Sequence, residues 1–274
     1  MSEVPPAKEH ARVGGMALAN GLLVHGPSSW AVAVREADGQ VTITSGPKPR
    51  LTIGPLGNVP VLRGALRLAE AIAVIPVARV RSPSARLAME DPRMFLATGA
   101  AAALSAVARR RLGSVIGQEA IVAALGLVPS VWLLSRSQAA TWHAVEHKNI
   151  AAYEDRGPDG VAWASTYAKE HTRCGSNLIL PLMASTAVGN AIARRTRAGR
   201  SLGGRAGIAA IASGLAVELF AFASRNPERG VSRLLHRAGH ELQAKFVTKE
   251  PNREDLAVGG AAIEALLRRE SGRR

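Results

Sequence analysis

Four apolar blocks constrain the fold of this chain more than any other feature. They are rich in Ala, Leu, Ile and Val and cover residues 94–108, 114–134, 177–193 and 206–224. A helix needs about 20 apolar residues to cross a membrane, and the second and fourth blocks come near that length. Arginine-rich turns separate the first block from the second and the third from the fourth. This pairing favours two membrane-embedded helical hairpins over a soluble Ala-rich helical bundle.

The charge of the chain indicates the kind of surface that it meets. The net charge is +14, which predicts attraction to polyanions such as nucleic acid and anionic lipid headgroups. Arginine next to apolar segments favours an anionic lipid bilayer as the partner. Nucleic acid is not favoured, because aromatic residues make up only 4% of the chain and no recognised nucleic-acid motif is present.

Cysteine content and the start of the chain bear on its location. Cys174 is the only cysteine, so an intramolecular disulfide is excluded and a reducing or membrane-embedded setting fits. Residues 1–12 are polar, carry Pro5 and Pro6, and lack the apolar core of a signal peptide. Insertion is therefore expected to use internal segments, and the predicted localisation is the cell membrane, with several crossings.

The predicted fold class is an α+β membrane protein with about four membrane helices. Alternating residues at 30–35 and 41–44, with Asp38-Gly39 between them, predict a β-hairpin, and residues 61–80 have the spacing of an amphipathic helix. Residues 245–248 are expected to be extended, followed by a last helix capped by Asn252 or Asp255. The predicted divisions are a disordered start at 1–12, a β-rich domain with an amphipathic helix at 13–93, a first helical hairpin at 94–134, a polar insertion at 135–176, a second helical hairpin at 177–224 and a basic C-terminal region at 225–274.

The polar insertion carries the motif from which a chemistry can be inferred. Trp142-His143-Ala144-Val145-Glu146-His147-Lys148 contains the pattern H-x-x-E-H, which has the residue order of the inverzincin metalloproteases. In a helix, His143 and His147 lie one turn apart on one face, as two imidazoles that share a metal ion require. Glu146 is then placed to accept a proton from a nearby water or to act as a further ligand.

Further metal ligands follow one loop later. His171 and Cys174 supply an imidazole and a thiol just before the third apolar block. Both groups are good zinc ligands, so a divalent metal is predicted and zinc is favoured. Two histidines plus either His171 or Cys174 make a catalytic set with one open position, with Glu146 as general base. All four side chains together would make a closed structural site.

Glu218 is the third feature of interest, because it lies inside the fourth apolar block. A carboxylate at bilayer depth costs on the order of a few kcal/mol and usually faces a partner. The candidate roles are a metal ligand, a hydrogen-bond partner of a ligating histidine, or an ion pair with an arginine. In a soluble helix, the same residue would simply be exposed.

Several motifs in order resemble the YqhQ-like bacterial family of uncharacterised multipass membrane proteins. They are the Gly14-Gly15 stretch that ends at His25-Gly26-Pro27, Val61-Leu62-Arg63-Gly64, the H-x-x-E-H motif with Tyr153-Glu154, His171-x-Arg173-Cys174-Gly175, Glu218, and Leu242-Gln243 with Thr248-Lys249-Glu250-Pro251. The chain departs from the opening motif at Met16, Asn20 and His25. The resemblance implies a membrane location and a metal-dependent enzyme, and it supplies no substrate.

The leading hypothesis is a membrane-embedded zinc hydrolase of unknown substrate. In it, His143, His147 and either His171 or Cys174 hold the metal, and Glu146 activates water. One alternative is a non-enzymatic membrane scaffold in which the His/Cys cluster is structural. Another is a membrane-anchored basic protein associated with RNA or the ribosome.

Overall fold

The computed structural model describes residues 10–50, 59 and 61–272. Four strands come first: β1 (Gly14–Ala17), β2 (Gly21–His25), β3 (Ser29–Arg35) and β4 (Val41–Pro47). The α-helices follow: α1 (Leu62–Arg81), α2 (Pro92–Arg111), α3 (Val115–Arg136), α4 (Ala139–Arg156), α5 (Ile179–Arg195), α6 (Leu202–Arg225), α7 (Gly230–Leu242) and α8 (Arg253–Ser271). Residues 1–9, which are most of the segment predicted to be disordered, lie outside the described residues.

The four strands form one antiparallel sheet in the order β1-β2-β3-β4. The predicted hairpin is confirmed: β3 pairs with β4 from Ser29–Pro47 to Arg35–Val41, and Gly39 turns the chain with a φ of 86°. Positive φ is a conformation that glycine adopts at little cost. Alternate residues of β2 and β3 point to opposite faces, and both faces of these two strands are buried.

Helices cover both faces of the sheet. One core joins Leu22 and Val24 to Trp142 and Val145 of α4 and to Ile263 of α8. A second core, on the other face, joins β-strand residues to α1, and its buried members include Leu23, Trp30, Val32, Val74 and Ala78. The helix that carries the H-x-x-E-H motif is therefore held directly against the N-terminal sheet.

The end of α8 also contacts the turn between β2 and β3. The carboxylate of Glu270 accepts hydrogen bonds from the backbone N–H groups of Ser28 and Ser29, at 2.9 and 2.8 Å, and from the Ser28 hydroxyl at 2.6 Å. Arg35 on β3 forms an ion pair with Asp255 at the start of α8, at 2.7 Å. These contacts join the N-terminal sheet to the last helix.

The apolar blocks form helices that contact one another in pairs, α2 with α3 and α5 with α6. Within the described part of the chain, three helical segments are long and apolar enough to cross a membrane, by length and composition: Gly117–Arg136, Gly175–Arg195 and Leu202–Arg225. Many of their apolar side chains are exposed, such as Val128, Val188 and Ile211. Helix α2, which contains the first block, is not among the three.

The expectation of an extended segment at residues 245–248 is wrong. A π-helical turn, Gln243–Val247, continues α7 without a break. The backbone N–H and the hydroxyl of Thr248 both donate to the Gln243 carbonyl, at 3.2 and 2.7 Å, and so close this turn. Local β-propensity is overridden here by hydrogen bonds to the turn. Of the two predicted caps of α8, Asn252 is the one that binds, accepting from the Asp255 N–H at 2.8 Å.

Candidate metal centre

Helix α4 presents its two histidines on one face, as the sequence predicts. The ring centroids of His143 and His147 are 4.3 Å apart. His147 is buried, with 1% of its surface exposed, and His143 is partly buried. The burial follows from the packing of α4 between the sheet and the segment that leads into α5.

Backbone carbonyls fix the position of one proton on each imidazole. Nδ1 of His143 is 2.9 Å from the Val247 oxygen, and Nδ1 of His147 is 2.6 Å from the Lys169 oxygen. A carbonyl oxygen only accepts hydrogen bonds, so each Nδ1 carries the proton and donates it. In the neutral form of each ring, Nε2 consequently offers a lone pair, which is the arrangement of histidine that binds a metal.

The Nε2 atoms of the two histidines lie close to the sulfur of Cys174, the single cysteine of the chain. Nε2 of His143 lies 3.2 Å from Sγ of Cys174, and one ligand atom from each of His143, His147 and Cys174 lies within 4.8 Å of the other two. Tetrahedral zinc keeps nitrogen and sulfur ligands about 3–4 Å apart, so small side-chain rotations bring this set together. Nε2 of His147 is buried and has no hydrogen-bond partner among the described residues. A metal ion would satisfy it, so the donor set fits zinc.

Cys174 is placed by the loop that enters the third apolar block. It is buried, with 8% exposed, and precedes a short 3-10 helix, Gly175–Leu178. Its sulfur accepts a hydrogen bond from the Ser176 N–H at 3.4 Å. The sulfur of a cysteine, as the thiolate, is a good zinc ligand.

His171, the other candidate for the third ligand, lies beside this group and outside it. Its ring centroid is 5.6 Å from that of His147. Its Nδ1 accepts from the Arg173 N–H at 3.3 Å, and its Nε2 is 3.8 Å from a Glu154 carboxylate oxygen. Burial, reinforced by the charges of His147 and Arg173, lowers the pKa of His171 to about 4. The structure therefore brings Cys174, and not His171, into the set.

Glu146 is buried on the same helix and points towards the sheet. A Cβ added to Gly15 of β1 would lie 2.7 Å from Cγ and 2.8 Å from Oε1 of Glu146, so a larger residue at position 15 would displace this carboxylate. Burial raises the pKa of Glu146 to about 7, and the nearby charge of His143 opposes that rise without cancelling it. Acid and carboxylate forms are therefore both populated near neutral pH.

Glu218 is engaged elsewhere. Nη2 of Arg63, at the start of α1, donates to both of its carboxylate oxygens at 3.0 and 2.8 Å, and Nε donates at 3.2 Å. Of the three roles considered for Glu218, the structure therefore shows the ion pair with an arginine. Val247 and Lys169, through their carbonyl groups, orient the two histidines, which is a role that the sequence had offered to Glu218.

Sequence reasoning missed the residues that hold the site in shape. Buried Gln243 accepts the His171 N–H at 2.7 Å and donates to the Ser176 hydroxyl at 2.8 Å, which ties together the two sides of the Cys174 loop. The π-helical turn that starts at Gln243 delivers the Val247 carbonyl to His143. Such turns are frequent at functional sites. The only sequence signals of these supporting residues were the Gly14-Gly15 and Leu242-Gln243 motifs.

The chain was compared with family models, curated proteins and solved structures. Neither a curated protein nor a solved structure matched. One family model matches residues 59–269, which include every residue of the candidate metal set. Its description carries no activity and no YqhQ-like name, but it confirms that the family is an uncharacterised one. The chain belongs to the family described as a protein of unknown function, DUF1385.

Proposed function

We propose that this chain is a multi-pass membrane protein that binds zinc and acts as a hydrolase on an unidentified substrate. One observation carries the proposal. His143 and His147 each donate Nδ1–H to a carbonyl, and their Nε2 atoms converge with the Cys174 sulfur. Histidine ligands of metals commonly donate their second N–H to a carbonyl or a carboxylate in this way.

The ligand count favours a reactive site over a closed one. Two nitrogens and one sulfur are three protein ligands, and zinc takes four. A bound zinc ion would lower the pKa of a water in the fourth position and polarise a carbonyl or phosphoryl oxygen. Within the chain, the carbonyls of Val247 and Lys169 hold the two imidazoles in the ligating tautomer.

Glu146 supplies the acid–base step. Its carboxylate form would take a proton from the attacking water, and the acid form would return that proton to the leaving group, so one residue would serve both halves of a hydrolysis. The missing side chain of Gly15 and the buried setting keep this carboxyl group in place and out of bulk water.

The membrane part of the proposal rests on the three long apolar segments and their exposed side chains. Apolar helices with so many exposed large side chains are unusual in a soluble monomer. The candidate ligands lie next to the ends of two of these segments. His143 follows Gly117–Arg136 closely, and Cys174 directly precedes Gly175–Arg195. A site in this position would meet substrates at the membrane surface.

A structural metal site is the second candidate function. The low exposure of His147 and Cys174, 1% and 8%, is typical of closed sites that tie segments together. Rotation of His171 into the set would complete four protein ligands. X-ray absorption on the zinc-loaded protein separates the two candidate functions. Two nitrogen ligands, one sulfur and one oxygen would indicate an open position. Three nitrogens and one sulfur would indicate a closed site.

Metal analysis of the full chain purified in detergent tests the proposal itself. We expect about one zinc per chain in the wild type and a near-complete loss in the His143→Ala/His147→Ala double variant. His236→Ala/His240→Ala is the matched control, because it removes a second pair of histidines at the same spacing on α7 and should retain zinc. Negligible zinc in the wild type, or equal zinc in all three proteins, contradicts metal binding at this site.

A further inference from the structure

A second site, distinct from the metal centre, lies where the two arginine-rich turns meet. Helices α2 and α5 end, and α3 and α6 begin, at the same end of the helical pairs. The metal ligands lie beyond the opposite ends of α3 and α5, and a helix of 20 residues is about 30 Å long. The two sites are therefore separated by roughly the thickness of a bilayer core.

A cavity of about 460 Å³ occupies this meeting point. Its lining includes three arginines, Arg109, Arg194 and Arg205, together with Thr186 and Asn190. No acidic residue is among the described residues that line it. Its volume lies within the usual range for small-molecule sites, about 300–1,000 Å³.

A buried carboxylate behind the cavity fixes two of the arginines. Glu119, whose side chain is 4% exposed, binds Nη1 of Arg109 at 2.7 Å and Nη2 of Arg194 at 2.5 Å. It also accepts from Nδ2 of Asn190 at 2.8 Å, and Arg194 donates to the Gln118 side chain at 2.7 Å. These guanidinium groups are thus positioned before any ligand arrives, which reduces the entropy cost of binding.

The third arginine adds charge that Glu119 does not balance. Nε of Arg205 donates to the Gly199 carbonyl at 2.7 Å, which uses one of the five N–H donors of a guanidinium. Three guanidinium groups against the single carboxylate of Glu119 leave an excess charge of +2 at the cavity, 3 − 1. An anion is the ligand that balances such an excess.

We propose that this cavity binds the phosphate group of an anionic phospholipid. Guanidinium groups pair with phosphate oxygens through two parallel N–H bonds, and Thr186 and Asn190 add neutral hydrogen-bonding groups. Free phosphate shares this chemistry, and the surroundings favour the lipid. Val188 and Ile192 lie between the lining residues of α5, and their apolar side chains are exposed, so acyl chains can pack against them beside the cavity.

Lipid binding by the full chain in detergent tests this site through Arg205. We expect phosphatidylglycerol to raise the melting temperature of the wild type, and the apparent affinity to fall about tenfold or more in Arg205→Gln, the effect of losing a charge-assisted hydrogen bond. Arg205 is chosen because removing Arg109 or Arg194 would leave Glu119 short of a partner. Arg200→Gln is the control, since it removes the same charge from an exposed position in the same turn, outside the cavity lining.

Two further probes assign the source of the phosphate. Phosphatidylcholine, which is zwitterionic, should bind the wild type and Arg205→Gln alike, and inorganic phosphate at millimolar concentration should not reproduce the effect of phosphatidylglycerol. Equal affinity of Arg205→Gln and Arg200→Gln for phosphatidylglycerol would overturn the site. An Arg205-dependent response to inorganic phosphate alone would overturn the lipid assignment.

Discussion

For single residues, the candidate site depends on which donor atoms of each side chain are not already used in hydrogen bonds. A histidine in an H-x-x-E-H pattern is only a potential ligand until its protonation is known. In this chain, the carbonyls of Val247 and Lys169 take up both Nδ1–H groups. The reactive atoms that remain are two Nε2 lone pairs and one sulfur, and these are close together.

The single cysteine allows a direct test of that geometry. A maleimide reagent should label Cys174 slowly in zinc-loaded protein, because both the metal and burial protect the thiolate. Removal of the metal with a chelator should speed the labelling about tenfold or more, on the scale of a tenfold change for 1.4 kcal/mol. The rate is measured by mass spectrometry of the intact chain.

The variant His143→Ala/His147→Ala provides the control for this labelling. It should react at one rate whether or not the chelator is present, since its remaining donor cannot retain the metal. A wild-type rate that does not respond to the chelator would mean that Cys174 is not a ligand.

His25, away from the metal set, links stability to pH. Burial, reinforced by the charge of Lys48, lowers the pKa of His25 from 6.5 to about 4. The unfolded chain therefore binds more protons than the folded chain between pH 4 and 6.5, so stability is complete above about pH 6.5 and falls as the pH drops towards 4. The free-energy cost reaches up to about 3 kcal/mol.

Melting temperatures of wild type and His25→Gln between pH 4 and 8 measure this linkage. The difference between the two proteins should change over pH 4–6.5, with the wild type losing more stability on acidification, and should be constant above pH 6.5. If the melting temperatures of the two proteins changed in parallel over the whole pH range, His25 would not be the cause of the pH dependence. His171 shifts in the same direction and is present in both proteins.

At the scale of elements, an ion pair fixes how α1 lies against α6. Arg63, at the start of α1, binds both carboxylate oxygens of Glu218, and the C-terminal half of α1 packs on the sheet through Val74 and Ala78. The sequence identified Glu218 as a residue in need of a partner, since it lies within an apolar block. It did not identify Arg63, which is 155 residues away along the chain.

Exchanging the two charges tests this contact. Arg63→Ala and Glu218→Ala should each lower the melting temperature in detergent, because each leaves the other charge without its partner. The exchange variant, Arg63→Glu/Glu218→Arg, should recover a large part of that loss. Additive losses in the exchange variant would show that the two side chains do not interact.

The observed strands and helices also show which sequence patterns predicted structure correctly. The strands at 29–35 and 41–47 and the helix at 62–81 lie close to their predicted positions, because strict alternation and helical spacing are strong local signals. The π-helical turn at 243–247 was missed. Its stability comes from Thr248 and from its packing beside α4, and neither contribution is visible in five residues read alone.

At the scale of the whole molecule, the question is whether the basic charge or the apolar helices hold the chain at a membrane. A protein attached by charge alone is released by high salt, because salt screens exposed charges. A protein with helices across the bilayer stays in place, since moving about 20 apolar residues into water is unfavourable.

Washing membranes from cells that express the chain separates these cases. We expect the protein to remain in the membrane pellet after 1 M salt and after alkaline carbonate, and to enter solution only with detergent. A variant with Val128→Asp and Ile211→Asp, at exposed positions of two candidate spans, should be recovered in the membrane in smaller amounts. Release of the wild-type chain by salt would contradict a membrane-spanning protein.

The sequence by itself determined the features that are local or compositional. The apolar blocks, the hairpin signal around Gly39, the spacing of His143 and His147 and the excess of arginine are all readable along the chain, since each depends on neighbours within a few residues. Only the tertiary structure decided between Cys174 and His171, paired Glu218 with Arg63 and brought the two arginine-rich turns around Glu119. The physical reason is that a ligand set, an ion pair or a cavity is defined by distances of a few ångströms between distant segments, and those distances are fixed by how sheet and helices pack.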